Sequence, residues 1–328
     1  MSISIKTIQE ASRAQWLDYA RNCATATFFH TPMWFEAFQV QAPGRIRPGA
    51  RLVEFDDGRK ALLPLCIDRR LNGLLKTWIS SPGGTYGGWL SRDELTRAHT
   101  EALVQYVTSF RNVFWRENPY DATLSEYDIP QSIHDVSQII ALDKQPGDYL
   151  TNAPHAHRKA VKKAAFNEVT IRQATCGQDW SNHYRAYLAS VKRWQEKKLT
   201  ISTVYTMEFF GQLALLPSDT CQLWIAEKKA NYLAGVICLY WNTYAVAWHG
   251  AAWEASFDLR PNNLLYAAMI RDAAQKKFSV FDMNPCRGLE GVSQFKKLLG
   301  ATELRSRYVN KCSGIKRLGQ VVKTIVDS

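Results

Sequence analysis

The 328-residue sequence contains no apolar run near the roughly 18 residues that a membrane-spanning helix requires. Its opening, "MSISIKTIQEAS", has neither the basic stretch nor the apolar core of a secretory leader, so a cytoplasmic chain is expected. The seven cysteines (Cys23, Cys66, Cys176, Cys221, Cys238, Cys286 and Cys312) are odd in number and scattered, with no C-x-x-C pair. That pattern excludes a disulfide framework and a cysteine zinc site, and predicts reduced, mostly buried thiols. His155 and His157 stand close together, but no carboxylate or cysteine partner lies at ligand spacing, so no metal is expected. No G-x-S-x-G elbow and no H-E-x-x-H pair occurs, so neither a serine hydrolase nor a zinc protease is indicated. Long polar or low-complexity tracts are missing too, which predicts a folded chain apart from its ends.

What is there is a large apolar complement, 46% hydrophobic with 12% aromatic. A chain of this length can bury a sizeable core in two domains or one large one. The net charge of +11 is one-sided. Residues 1–145 hold 16 Lys+Arg against 16 Asp+Glu, and residues 146–328 hold 25 against 14. A basic second half points to an anionic partner: a phosphorylated co-substrate, a nucleic acid, an acidic carrier or a lipid surface. The plainer reading is a solvated basic face.

Hydrophobic periodicity orders the second half. Helices are predicted over 177–197 and 204–216, three antiparallel strands over 221–229, 231–241 and 243–253, a loop and helix over 259–277, and a strand over 278–284. The first half repeats this order loosely. It has helices at 13–23 and 31–40, a hairpin over 50–70 turning at Asp57-Gly58, one or two strands in 75–90, a helix in 92–112 and a strand at 121–130. Two domains of one fold are expected, 1–145 and 146–328, joined near "KQPGDYLTNAP".

Four stretches then carry a resemblance: "FFHTPMWFEAF" (28–38), "HRKAVKKAAFNEVTIR" (157–172), "DLRPNNLLYAAMI" (258–270) and "FDMNPCRGLEGVSQFKKLLGA" (281–301). Taken in order, they resemble the FemAB-like branch of the GNAT acyltransferase superfamily, which includes acetyltransferase-like proteins of bacterial polysaccharide clusters. The resemblance implies an α+β chain of two tandem GNAT-like domains, each a mixed, mostly antiparallel sheet flanked by helices. It implies an N-acyltransferase with no permanently bound cofactor. Acyl-CoA or acyl-carrier protein would serve as donor, with an amine as acceptor. Aminoacyl-tRNA as donor, as in the Fem enzymes, is the alternative, and a non-catalytic module binding an anionic carrier is a third reading.

The candidate residues follow. Arg158 with Lys162, and Lys159 with Lys163, pair like charges at helical spacing, which suits an anion lying across them or else a solvated face. "LRPNNLL" stands where GNAT enzymes carry a glycine-rich pyrophosphate loop, but lacks the glycines. In it Arg260 can hold a phosphate or carboxylate, Asn263 can cap the following helix, and Asn262 lies between them. In the closing motif, Ser293 reads as an N-cap and Gly300 as the residue past the helix end, which puts Lys296 in the first turn. A cation at that positive helix end calls for an anion, and the oxyanion of acyl transfer is one; a surface lysine is the other reading. The resemblance carries the matching Phe-Lys pair of the Fem transfer site onto Phe295 and Lys296. Asp282 and His249 are candidate bases for the amine. "SPGGTYGGW" (81–89) reads as a structural turn or the wall of an acceptor site, with Tyr86 facing the acceptor. The tail 312–328 is amphipathic, and is expected to pack on its own domain rather than on a membrane surface.

Overall fold

The computed structural model describes residues 3–80, 82–125, 127–143, 147–197, 203–286 and 290–311. The tail 312–328, Cys312 and Gly288 lie outside the described residues. Two compact units form. The first runs to Asp135 and resumes at Arg305; the second is Val136–Leu304.

The first unit comprises β1 (Ile5–Glu10), α1 (Arg13–Asn22), α2 (Pro32–Gln41), β2 (Ile46–Pro48), β3 (Arg51–Phe55), β4 (Lys60–Leu63), β5 (Cys66–Arg70), β6 (Leu75–Ile79), α3 (Arg97–Ser109), β7 (Val113–Arg116) and α4 (Ala122–Ser125). Ser12 opens α1 through a capping box: its Oγ accepts from Gln15 N at 3.2 Å while Gln15 Oε1 accepts from Ser12 N at 2.9 Å. Pro32 sits in the first turn of α2, where its missing N–H has no helical partner to lose. The expected hairpin at Asp57-Gly58 pairs Glu54 with Lys60 and Arg51 with Leu63. The strand expected at 121–130 does not form. The short helix α4 stands there, because Asp121 Oδ1 accepts from Thr123 N and Oγ1 at 3.0 and 2.7 Å and turns the chain. Leu103, Val107, Trp89, Trp115 and Phe55 centre this unit's core.

In 81–89, Gly87 is there for close approach. A β-carbon on Gly87 would lie 2.2 Å from Ser80 Oγ and 2.7 Å from the Arg116 carbonyl. Tyr86 is fully buried, its ring 6.0 Å from both Phe29 and Tyr120. It therefore belongs to the aromatic core and not to an acceptor wall. Sequence could not separate these readings, because a buried tyrosine and a site tyrosine have the same spacing.

The second unit holds β8 (Ile133–Ala141), α5 (Tyr149–Asn152), α6 (His155–Phe166), β9 (Thr170–Gln173), α7 (Gly177–Glu196), α8 (Met207–Ala214), β10 (Cys221–Lys228), β11 (Asn231–Trp241), β12 (Tyr244–Ala252), α9 (Pro261–Gln275), β13 (Val280–Pro285) and α10 (Glu290–Leu298). The final strand, β14 (Thr302–Lys311), pairs antiparallel with β7 from Tyr308 to Lys311. The sheet order is β8-β13-β12-β11-β10-β9, antiparallel except for the parallel pair β12–β13. One face packs on α6 and α9 through Leu265, Met269, Ile270, Phe281 and Met283. The other receives α7 and α8, whose Phe209, Phe210 and Tyr187 are buried. The sequence boundary at 145/146 and this division at 135/136 differ by the strand β8, which pairs with β13 from Val280↔Ala141 to Pro285↔Ser137.

Candidate active site

Strands β12 and β13 run side by side for three pairs, Tyr244↔Val280, Ala245↔Phe281 and Val246↔Asp282. The pairing stops there, although β12 runs on to Ala252 and β13 to Pro285. At the same level β12 bulges. Cys238 of β11 opposes Ala247, Ile237 opposes His249, and Trp248 is the extra residue. A bulge puts two successive side chains on one face. Trp248 and His249 accordingly share the aromatic cluster of Tyr205, Phe209 and Phe210. Two parallel strands whose pairing stops short of their carboxyl ends form a wedge, a usual place for a ligand in such sheets.

Asn284 spans the root of this wedge. Its side-chain Nδ2 donates to Ala247 O at 3.1 Å, its backbone N to Asp282 Oδ1 at 2.6 Å, and its carbonyl accepts from Lys296 Nζ at 2.6 Å. Its φ of 61° is left-handed, a strained choice for a residue before Pro285. Asn284 is 8% exposed, and its Oδ1 is buried without a hydrogen-bond partner among the described residues. Such an acceptor can take a hydrogen bond from a water or from a ligand that enters the site. Sequence reasoning missed Asn284 and the Trp248 bulge. The only local signal was the Asn-Pro pair that ends the strand.

Lys296 and Asp282 meet through Asn284. Asp282 is wholly buried and also accepts from Ser137 Oγ at 3.1 Å. Lys296 is 4% exposed, and a buried ammonium stays charged only where polar atoms replace its water. The expected helix position is corrected: α10 begins at Glu290, so Lys296 lies in its last turn. There a cation complements the helix dipole, and the mismatch argued from sequence disappears. Ser293 is inside the helix, its Oγ accepting from Gln138 Nε2 at 2.8 Å. Gly300 does stand past the helix end at φ 87°, donating to Lys297 O. Phe295 packs edge-on to Tyr266 at 5.4 Å and seats α10 on the core.

His249 joins a different group. Its Nδ1 lies 3.1 Å from His183 Nε2, and His183 Nδ1 lies 2.8 Å from Tyr232 Oη. Burial holds both imidazoles below their ordinary range, and His249 further disfavours a charge on His183. Two neutral, hard-to-protonate rings make His249 a weak base at neutral pH.

The α6 and α9 residues come together at one end of this unit. Asn263 does not cap α9. The helix starts at Pro261, and Asn263 Nδ2 reaches His157 Nδ1 of α6 at 3.2 Å. Burial pushes the His157 imidazole down to about 4, and its Nε2 has no hydrogen-bond partner among the described residues. Arg260 takes the N-cap position at φ 59° with an exposed side chain, and Asn262 is half-buried in the first turn. Arg158 turns back to the carbonyl of Ala153 at 2.6 Å, so it is tied to the end of α5 rather than held free for an anion. Lys159, Lys162 and Lys163 are exposed.

Residues 155–297, from the start of α6 into the last turn of α10, match the family described as an acetyltransferase (GNAT) domain. The wedge, Asp282, Asn284 and Lys296 all lie within it. That stretch of the second unit is thus similar to a GNAT acetyltransferase domain. Over 96% of this chain and 99% of the other, the fold is that of FemX, with a TM-score of 0.61 at 11% identity. A conserved protein of unknown function from Bacteroides thetaiotaomicron is similar over 92% of this chain and 97% of its own, with a TM-score of 0.52 at 11% identity. A tandem GNAT protein of the clavulanic acid pathway aligns over 93% and 98%, with a TM-score of 0.48 at 12% identity. No curated protein matches the sequence. The likeness to FemX is one of fold, and the expected mixed, mostly antiparallel sheets flanked by helices are present.

Proposed function

We propose that the protein moves an acyl group from a CoA or acyl-carrier-protein thioester to an amine, and that the reaction takes place in the wedge between β12 and β13. The observation that carries this reading is the parting of the strands at Val246 and Asp282, with Lys296, Asn284 and the open Asn284 Oδ1 at its root. The donor's anionic end would lie at the positive end of α9, beside Arg260 and Asn262. Phe295 holds α10 in place. The acceptor amine donates to Asn284 Oδ1, which turns its lone pair toward the thioester carbonyl. As the C–N bond forms, negative charge grows on the carbonyl oxygen, and Lys296 Nζ stabilises it. The C–S bond then breaks, the thiolate leaves, and the amine's proton passes to water. Asp282 is a positioning residue here, since it fixes the turn that presents Asn284. His249 shapes the aromatic wall rather than taking the proton.

The exposed Lys159, Lys162 and Lys163 on α6, next to α9, keep a second reading open, in which aminoacyl-tRNA is the donor. An acceptor of the cell envelope or of polysaccharide metabolism, a cytoplasmic location, and domains at 1–145 and 146–328 with the donor site in the latter belong to the same proposal. Native mass spectrometry with acyl-CoA, acyl-carrier protein and charged tRNA, followed by thiol release with an amine panel, tests it. Thioester binding with amine-dependent thiol release is expected. Binding of charged tRNA alone would favour the second reading. Binding without turnover by any amine would leave a carrier-binding module, and binding of none would overturn both donor readings.

A further inference from the structure

The hairpin between β5 and β6 is built in a way that folding does not explain. Its stretch "RRLNGLLK" (69–76) carries three cations and three leucines, and no acid. The last strand pair is Arg70↔Leu75, and the tip between them presents Leu71 at 65% and Leu74 at 90% exposure. Leu71 also holds a left-handed backbone at φ 51°, a region that a branched apolar residue seldom adopts. A soluble turn would place glycine, asparagine or aspartate there. Strain and exposed leucine together mark a side chain kept for something other than stability.

Cations surround the tip. Arg45, Arg47, Arg69, Arg70 and Lys76 all lie on β2, β5, β6 or their ends. The acids near them are few. Asp68 is shared between Arg45 at 2.6 Å and Arg70 at 3.1 Å, and Glu10 reaches Arg47 at 3.4 Å. Arg45, Arg69, Arg70, Leu71 and Asn72 line a shallow groove of about 580 Å³. Within it Arg69 Nε is buried and makes no hydrogen bond among the described residues. Apolar side chains at the tip with guanidinium groups behind them match the layering of an anionic bilayer, acyl chains below and phosphates above.

We propose that this hairpin is a membrane-docking element: Leu71 and Leu74 enter the interface of an anionic bilayer while Arg69 and Arg70 engage lipid phosphates. The occupant is a lipid surface rather than an apolar protein groove, because the cations outnumber the acids around the tip. This does not depend on which donor the second unit uses.

The test is co-sedimentation of the full chain with vesicles of phosphatidylcholine alone and with vesicles in which phosphatidylglycerol replaces part of it. Binding is expected only to the latter, weakening with salt. Leu71→Ser and Leu74→Ser should each weaken it about tenfold, the scale of one buried leucine. Arg69→Gln and Arg70→Gln should each weaken it about fivefold, the scale of one interfacial cation. Leu71→Gly removes the side chain and the strain together, so binding should fall while the melting temperature holds or rises. The proposal fails if phosphatidylglycerol vesicles are not bound, or if the leucine variants bind like the parent. It fails also if inorganic phosphate at constant ionic strength displaces the vesicles, which would make the groove a free-phosphate site. Binding of tRNA, but not vesicles, through Arg69 and Arg70 would overturn it as well.

Discussion

Replacing Lys296 with methionine keeps the length and apolar stem of the side chain and removes the ammonium. The lost bond to the Asn284 carbonyl is short, 2.6 Å, and its donor is 4% exposed. A buried hydrogen bond from a charged group contributes about 1.5–3 kcal/mol to stability. Loss of an oxyanion donor lowers kcat about 10²–10³-fold, or about 2.7–4 kcal/mol. The two effects separate by arithmetic. If the parent lies at the low end of ordinary stability, about 5 kcal/mol, the variant keeps about 2 kcal/mol, and only a few per cent of it is unfolded. Unfolding therefore removes a few per cent of the activity, whereas the chemical role removes about 99% or more. The assay is thiol release from an acyl thioester, with thermal melting and calorimetric donor binding on the same preparations. The expected result is a native fold, thioester affinity within about threefold, and kcat lowered at least about a hundredfold. A folded variant with kcat within about threefold of the parent refutes the oxyanion role. Loss of donor binding in step with kcat refutes it too, because Lys296 would then hold the ground state.

Three further outcomes follow from the geometry. Asn284→Ala loses the bond to Ala247 O and keeps a left-handed backbone, so thermal denaturation should show a loss of about 1–3 kcal/mol. Asn284→Gly should recover much of that stability but not the rate with amine, and recovery of both would reduce Asn284 to a backbone device. Gly87→Ala forces a β-carbon to 2.2 Å from Ser80 Oγ, an overpacking of about 1–3 kcal/mol measurable by urea titration. An unchanged midpoint would show that the loop can give way. Burial pushes His30 and His157 down to about 4, while the unfolded chain protonates near about 6.5. Their contribution is therefore complete above about pH 6.5 and lost as the pH falls toward about 4, at about 1.4 kcal/mol per pH unit for each. Urea midpoints between neutral and acid pH check this, and a His157→Leu variant that leaves the slope unchanged would sink the linkage.

Much of the second unit was legible because its signals are local. Helix α7 was expected over 177–197 and spans Gly177–Glu196; β10, β11 and β12 fall within a residue or so of the expected runs. The periodicity of buried positions fixes such elements without knowledge of their neighbours. The start of α10 was misplaced because Ser293 has the chemistry of a cap, yet its hydroxyl is taken by Gln138, more than 150 residues away in sequence. The strand β8 was missed because its polar residues are buried by pairing with β13: Ser137 and Gln138 are 0% and 2% exposed.

By itself the sequence determined the class of fold, the absence of any long apolar span and the choice of Asp282, Phe295 and Lys296 as residues of one motif. Period and spacing along the chain set out the elements, and the resemblance of four stretches to a known family supplied the class of fold and the Phe295-Lys296 pair. Only the tertiary structure decided that Tyr86 is core, that His249 pairs with His183, that Arg158 is tied to a carbonyl, and that Asn284 joins Lys296 to Asp282. Those outcomes depend on which polar atoms are desolvated together, and desolvation is set by neighbours distant in sequence.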